Sequence, residues 1–187
     1  MDALLTAFVA AFLAEWGDKT QLVVAMLAAT TRRPAAVLAG LALAALASNA
    51  VAAIAGVYIA GTINIRAMTL MVALALLFAG GSGLIRRKAP APAAPKRLLI
   101  VSAMILCLAA ELGDRTQFLT FALAGRFDSA PLAAAGATAG MIAACLPAAL
   151  LGDRLGDVVP VRAIRYAGAG LFLVTGFIVA MKALQLA

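Results

Sequence analysis

The chain has 187 residues, of which 65% are hydrophobic and 12% charged, and its mean hydropathy is +1.07. Soluble domains carry about 25% charged residues, so this balance excludes a disordered chain, a nucleic-acid-binding domain and most soluble enzymes. The net charge of +7, from 15 Lys and Arg against 8 Asp and Glu, then reads as the basic loops of a membrane protein.

Six apolar segments follow one another, at about 3–29, 35–60, 67–85, 98–125, 130–151 and 164–184. All are of helical length, and none alternates as a barrel strand does. The opening MDALLTAF is acidic and has no basic n-region, so no cleavable signal peptide is expected. Residues 86–97 read RRKAPAPAAPKR, with five basic residues and three prolines. Such a segment cannot cross lipid and predicts a cytoplasmic linker between two halves, 1–85 and 98–187.

Basic residues divide unevenly between the two sides. The first, third and fifth loops hold ten: Arg32, Arg33, Arg86, Arg87, Lys88, Lys96, Arg97, Arg154, Arg162 and Arg165. The opposite side holds three, Arg66, Arg126 and Lys182. The positive-inside rule places the richer loops in the cytoplasm and both termini outside. Histidine is absent, which excludes an imidazole zinc site and any Ser-His-Asp or Cys-His catalytic group. Cys107 and Cys145 lie in apolar stretches without a CxxC pair and read as packing residues.

The halves align at an offset of 96 without gaps. AEWGDKTQ (14–21) falls on AELGDRTQ (110–117), Gly40 on Gly136 and Gly56 on Gly152. Fourteen of forty-four positions match between 13–56 and 109–152, and seven of these are not Ala or Leu. Three spans per half is an odd number, so the second copy should be inverted. The expected fold is an all-α polytopic membrane protein: six transmembrane helices as two inverted three-helix repeats. That is a pattern of secondary transporters, which bind at the repeat interface.

The doubled motif carries the chemistry. Glu15, Asp18 and Lys19, and their counterparts Glu111, Asp114 and Arg115, fall mid-segment. A charge at that depth costs about 2.5–3.5 kcal/mol on insertion scales and marks a functional site by default. Glu and Asp at i, i+3 would share a helix face, and Gly17 and Gly113 between them permit an unwound turn. Thr20, Gln21, Thr116 and Gln117 add oxygens. Four carboxylates in an oxygen-only set suit a hard divalent cation, Mn²⁺ or Ca²⁺ with Mg²⁺ behind them. With Lys19 and Arg115 the site sums to −4 + 2 = −2. One divalent cation or two protons would neutralise it, which predicts mutually exclusive loading and cation/proton exchange. Lys19 and Arg115 read as groups that orient the acids or replace the ion in the empty site. The competing structural reading is a salt-bridge network, with Glu15 and Lys19 paired at i, i+4.

On these motifs the chain resembles the GDT1 family of membrane cation transporters, which carries two copies of E-x-G-D-K/R-S/T. Both copies are intact here, as Glu15-Trp16-Gly17-Asp18-Lys19-Thr20 and Glu111-Leu112-Gly113-Asp114-Arg115-Thr116. The resemblance implies export of Mn²⁺, and in some members Ca²⁺, in exchange for protons, with the four motif acids carrying the ion. It favours a bacterial cytoplasmic membrane. It implies no resident cofactor, and lipid and the metal ion as partners; no nucleic acid and no obligate protein partner are evident.

Elsewhere, Ser48 and Asn49 sit mid-span and could line the pathway or hydrogen-bond a neighbouring helix. Gly40, Ala44, Ser48, Ala52, Gly56, Gly136 and Gly140 form small-residue rows that read as close helix contacts. Pro147 reads as a static kink, Trp16 as packing beside the site, and Asp153 and Asp157 as solvated loop acids. Two other classes stay open. An exporter of amino acids or other organic solutes also uses six helices. An intramembrane aspartyl hydrolase uses G-x-G-D, but here Glu15 and Glu111 stand where its first glycine would be.

Overall fold

A computed structural model describes residues 1–85 and 98–185. The basic linker 86–97 lies outside the described residues. Among them the chain is helical throughout, with no strand. The first half holds α1 (Asp2–Glu15), α2 (Lys19–Thr31), α3 (Pro34–Ala60) and α4 (Ile65–Leu84). The second holds α5 (Leu99–Glu111), α6 (Arg115–Phe127), α7 (Ala130–Leu151), a short turn with α8 (Leu155–Val158), and α9 (Val161–Leu184). Four stretches are long and apolar enough to cross a membrane: α3, α4, α7 with its continuation to Val158, and α9.

The two segments expected as single spans, 3–29 and 98–125, are each broken at the motif. At 13 or 14 residues, a half-helix is about 20 Å long, short of the ~30 Å hydrocarbon core. None of these four half-helices is long enough to cross it alone.

The halves interlock. α1 packs along α7 and α5 along α3, while α4 pairs with α9. Glycines at matched positions make these approaches. A Cβ on Gly136 would strike the Leu4 carbonyl, and one on Gly40 the Ile100 carbonyl. Ile100 is Leu4 plus 96, so both contacts obey the repeat. Gly80 meets Leu173 on α9, and its counterpart Gly176 meets Leu77 on α4. The small-residue rows therefore do what their pattern suggested. Gly136→Ala should cost about 1–3 kcal/mol through overpacking. Gly81→Ala, which meets nothing within 4 Å, is the neutral control for thermal unfolding in detergent.

Small residues fill the interior and large ones cover the outside. Ala7, Ala11, Ala14, Ala44, Ala45 and Ala53 are buried, while Leu46, Val51, Ile54, Phe78, Val174 and Phe177 are exposed. This order fits a lipid solvent, where backbones approach through small side chains and bulky apolar ones face the tails.

The charged ends separate. Ala29 of α2 abuts Gly152, which puts Arg32 and Arg33 at the same end as Arg154 and Arg162. At the other end Leu5, Arg126 and Lys182 border one cavity. One basic residue departs from its expected place. Arg165, counted with the fifth loop, sits inside α9 and is only 8% exposed.

Candidate metal centre

Each break has the same backbone. Trp16 (φ −65°, ψ 121°) and Leu112 (φ −58°, ψ 117°) are extended, and both glycines have φ 69°. The N–H of Asp18 donates to the Glu15 carbonyl at 3.2 Å, and that of Asp114 to the Glu111 carbonyl at 3.0 Å. This is a type II turn, whose third position requires positive φ and so glycine. The Gly in E-x-G-D is therefore a backbone requirement. Asp18 and Asp114 then open α2 and α6 as their N-cap residues, where the helix dipole favours an anion.

The turn overturns two expectations drawn from a continuous helix. Glu and Asp do not share a helical face at i, i+3, because each Glu ends one helix and each Asp opens the next. The ion pairs of Lys19 and Arg115 also depart from the i, i+4 pattern. The pairs cross between the repeats. Lys19 Nζ lies 3.7 Å from Asp114 Oδ1, and Arg115 Nε lies 3.3 Å from Asp18 Oδ2. The threonines cross as well. Thr20 Oγ1 donates to Glu111 Oε1 at 2.5 Å, and Thr116 Oγ1 to Glu15 Oε2 at 3.3 Å.

All four acids are buried, with exposures of 0% at Glu15 and Glu111, 1% at Asp18 and 5% at Asp114. Glu15 Oε1 and Glu111 Oε2 are buried without a hydrogen-bond partner. Asp18 and Asp114 also meet each other through their carboxyls. Among the described residues, however, no three Asp, Glu, Cys or His side chains are gathered closely enough to hold a metal ion. In this arrangement the bases and threonines of each motif occupy the acids of the other.

The glutamines hold the turns. Gln21 Oε1 accepts from the Gly17 N–H at 2.9 Å, and Gln117 Oε1 from the Gly113 N–H at 3.0 Å. Their amides reach across to the other half, Gln21 Nε2 to the Ala144 carbonyl at 2.8 Å and Gln117 Nε2 to Ser48 Oγ at 2.6 Å. Ala144 is Ser48 plus 96, so the braces are also a pair. Gln21→Leu should cost about 1–3 kcal/mol by leaving the buried Gly17 N–H unpaired. The loss at Gln117→Leu should be smaller, because Gly113 is exposed. Paired thermal melts in detergent check the order.

Asn49, fully buried, bonds neighbouring helices. Its Nδ2 lies 3.3 Å from Thr138 Oγ1, and its Oδ1 accepts from Thr120 Oγ1 at 3.0 Å. Thr120 and Thr138 went unnoticed in the sequence. The signal for Thr120 was its place one turn after Thr116, on the motif's own face. Trp16 packs edge-on against Phe12 at 5.9 Å, and both cysteines are buried.

Two cavities flank the turns. One of about 470 Å³ is lined by Ala52, Phe78, Gly113, Asp114 and Gln117. The other, about 1050 Å³, reaches Gly17 and Gln21 from the end that carries Arg162.

Broken helices meeting at buried acids, inside a bundle with an apolar exterior, make this a multi-pass membrane protein of the transporter class. The comparisons narrow the class. The family model described as "Divalent cation/proton antiporter GDT1" matches residues 3–91 and 99–187, and the chain belongs to that family. A Vibrio cholerae protein named "Putative manganese exporter" is 34% identical over 175 residues, covering 92% of this chain and 88% of its own. "Protein PAM71, chloroplastic" of Arabidopsis thaliana is 47% identical over 76 residues, covering 40% of this chain and 20% of its own. No solved structure matches the chain.

Proposed function

We propose that this protein exports divalent cations from the cytoplasm in exchange for protons, Mn²⁺ first and Ca²⁺ second. The six spans would be two inverted three-helix repeats, with α1–α2 and α5–α6 as the broken span of each. The end bearing Arg32, Arg33, Arg154 and Arg162 faces the cytoplasm of a bacterial cell, and both termini lie outside. The observation that carries the reading is the crossed pairing of Lys19 with Asp114 and Arg115 with Asp18. It ties the two repeats together at the acids, through contacts that an arriving cation can replace.

The ion would bind between the turns. Glu15 Oε1 and Glu111 Oε2, the buried oxygens without hydrogen bonds, supply the first contacts. Asp18 and Asp114 join as Arg115 and Lys19 are displaced. The oxygen-only set favours a hard cation. Two protons on the acids restore the same charge, so proton entry from the far side expels the ion. Closure of one cavity and opening of the other would then be a rocking of one repeat against the other.

The test is Mn²⁺ flux in proteoliposomes under an imposed pH gradient, with protons followed by a second dye. Mn²⁺ should move against proton flow, and Ca²⁺ should compete. Mn²⁺ transport with no counter-movement of protons would remove the exchange mechanism. Transport of an amino acid in place of either metal would favour the organic-solute reading.

A further inference from the structure

The two turns share a backbone but not a surrounding. A Cβ on Gly113 would meet nothing within 4 Å. A Cβ on Gly17 would lie 3.0 Å from Arg165 Cδ and 3.2 Å from Val161 Cγ1. Trp16 is 7% exposed and its counterpart Leu112 is 69% exposed. α9 stands over the Gly17 turn, and no side chain stands over the Gly113 turn within 4 Å.

The roof is a cation. Arg165 is 8% exposed, its Nε is buried without a hydrogen bond, and its guanidinium lies 4.9 Å from the Tyr166 ring centroid. No ion pair joins it to a carboxylate among the described residues. A guanidinium held this deep is costly, and its Nε has no hydrogen bond to offset that cost. Repeat symmetry does not explain it, because the equivalent position is Thr69.

Arg165 lines one of the two cavities. The 1050 Å³ cavity at the basic end is lined by Gly17, Gln21, Asp153, Arg162 and Arg165, and by no motif acid. The 470 Å³ cavity is lined by Asp114 itself. Arg165 thus covers the turn that carries Glu15 and Asp18, where the larger cavity ends.

We propose that Arg165 is the closing cation of the basic-end pathway. Its aliphatic stem seals the Gly17 turn and its guanidinium repels a divalent cation at the neck. For the site to load from that end, Arg165 must leave the turn. It is a positioning residue that acts on the pathway, not a ligand. The inference rests on the transport reading above.

The experiment uses the full chain in proteoliposomes, with Mn²⁺ and proton movements recorded together. Arg165→Met keeps the stem and removes the charge, whereas Arg165→Lys keeps a charge. Arg165→Met should raise Mn²⁺ entry that is unaccompanied by protons by roughly tenfold, the effect of a modest screened charge on a barrier. Arg165→Lys should stay near wild type. A structural role would not change the Mn²⁺-to-proton ratio in this way. Unchanged coupling in Arg165→Met, or equal leak in Arg165→Lys, overturns the proposal. Arg165→Gln carries the same test if the Met variant does not elute as a single species. Glu111→Gln runs beside them. Absence of Mn²⁺ flux in the wild-type protein, beside an equally silent Glu111→Gln, removes the transport reading itself, whatever Arg165 does.

Discussion

Glu111→Gln is expected to weaken Mn²⁺ transport by about a hundredfold in apparent affinity, equivalent to ~2.7 kcal/mol. Glu111 has 0% exposure and one oxygen, Oε2, without a hydrogen bond. Amide replacement keeps the volume and removes the charge. Glu15→Gln, Asp18→Asn and Asp114→Asn should fail alike, because each removes one of the four negative charges. Cells expressing these variants at normal membrane levels should accumulate Mn²⁺ and lose resistance to it. Efflux like wild type in all four would end the assignment of the site.

The second expectation separates two residues that look alike in the motif. Arg115 has a side-chain exposure of 3% and Lys19 of 39%. Arg115→Gln leaves Asp18 buried without that partner, and breaking a buried pair from one side costs about 3–5 kcal/mol. Lys19→Gln opens a pair whose lysine is already 39% exposed, so solvent screens the pair and the loss is smaller than at Arg115. Arg115→Gln should therefore lower the yield and melting temperature of the purified protein sharply, with Lys19→Gln close to wild type. Arg115→Gln paired with Asp18→Asn should recover stability without recovering transport. Equal melting temperatures for the two single variants would contradict the geometry.

Much of the site was legible in the sequence because its signals are local. Six of the eight residues of AEWGDKTQ recur in AELGDRTQ at a fixed offset, and charged residues in apolar segments stand out on their own. The glycines suggested an unwound turn, and the structure supplies one at both places. The partners were not legible. An i, i+4 rule assumes a continuous helix, and the type II turn ends that helix between Glu15 and Lys19. The glutamines looked like ligands because an amide oxygen is one chemically; in the structure each oxygen accepts a glycine N–H. Arg165 looked like a loop residue because it follows Arg154 and Arg162 at the edge of an apolar segment. Nothing within ten residues of it reports that Gly17 lies beneath its stem.

By itself the sequence determined the membrane class, the repeat, the four acids and the glycines that the turns require. Those follow from hydropathy, spacing and backbone sterics, which act over a few residues. Only the tertiary structure decided which base meets which acid, which threonine serves which glutamate, and which of two matching turns is covered. The threonine contacts join residues 91 and 101 positions apart. They exist because α1 meets α6 and α2 meets α5, and such crosswise packing depends on how whole helices fit together.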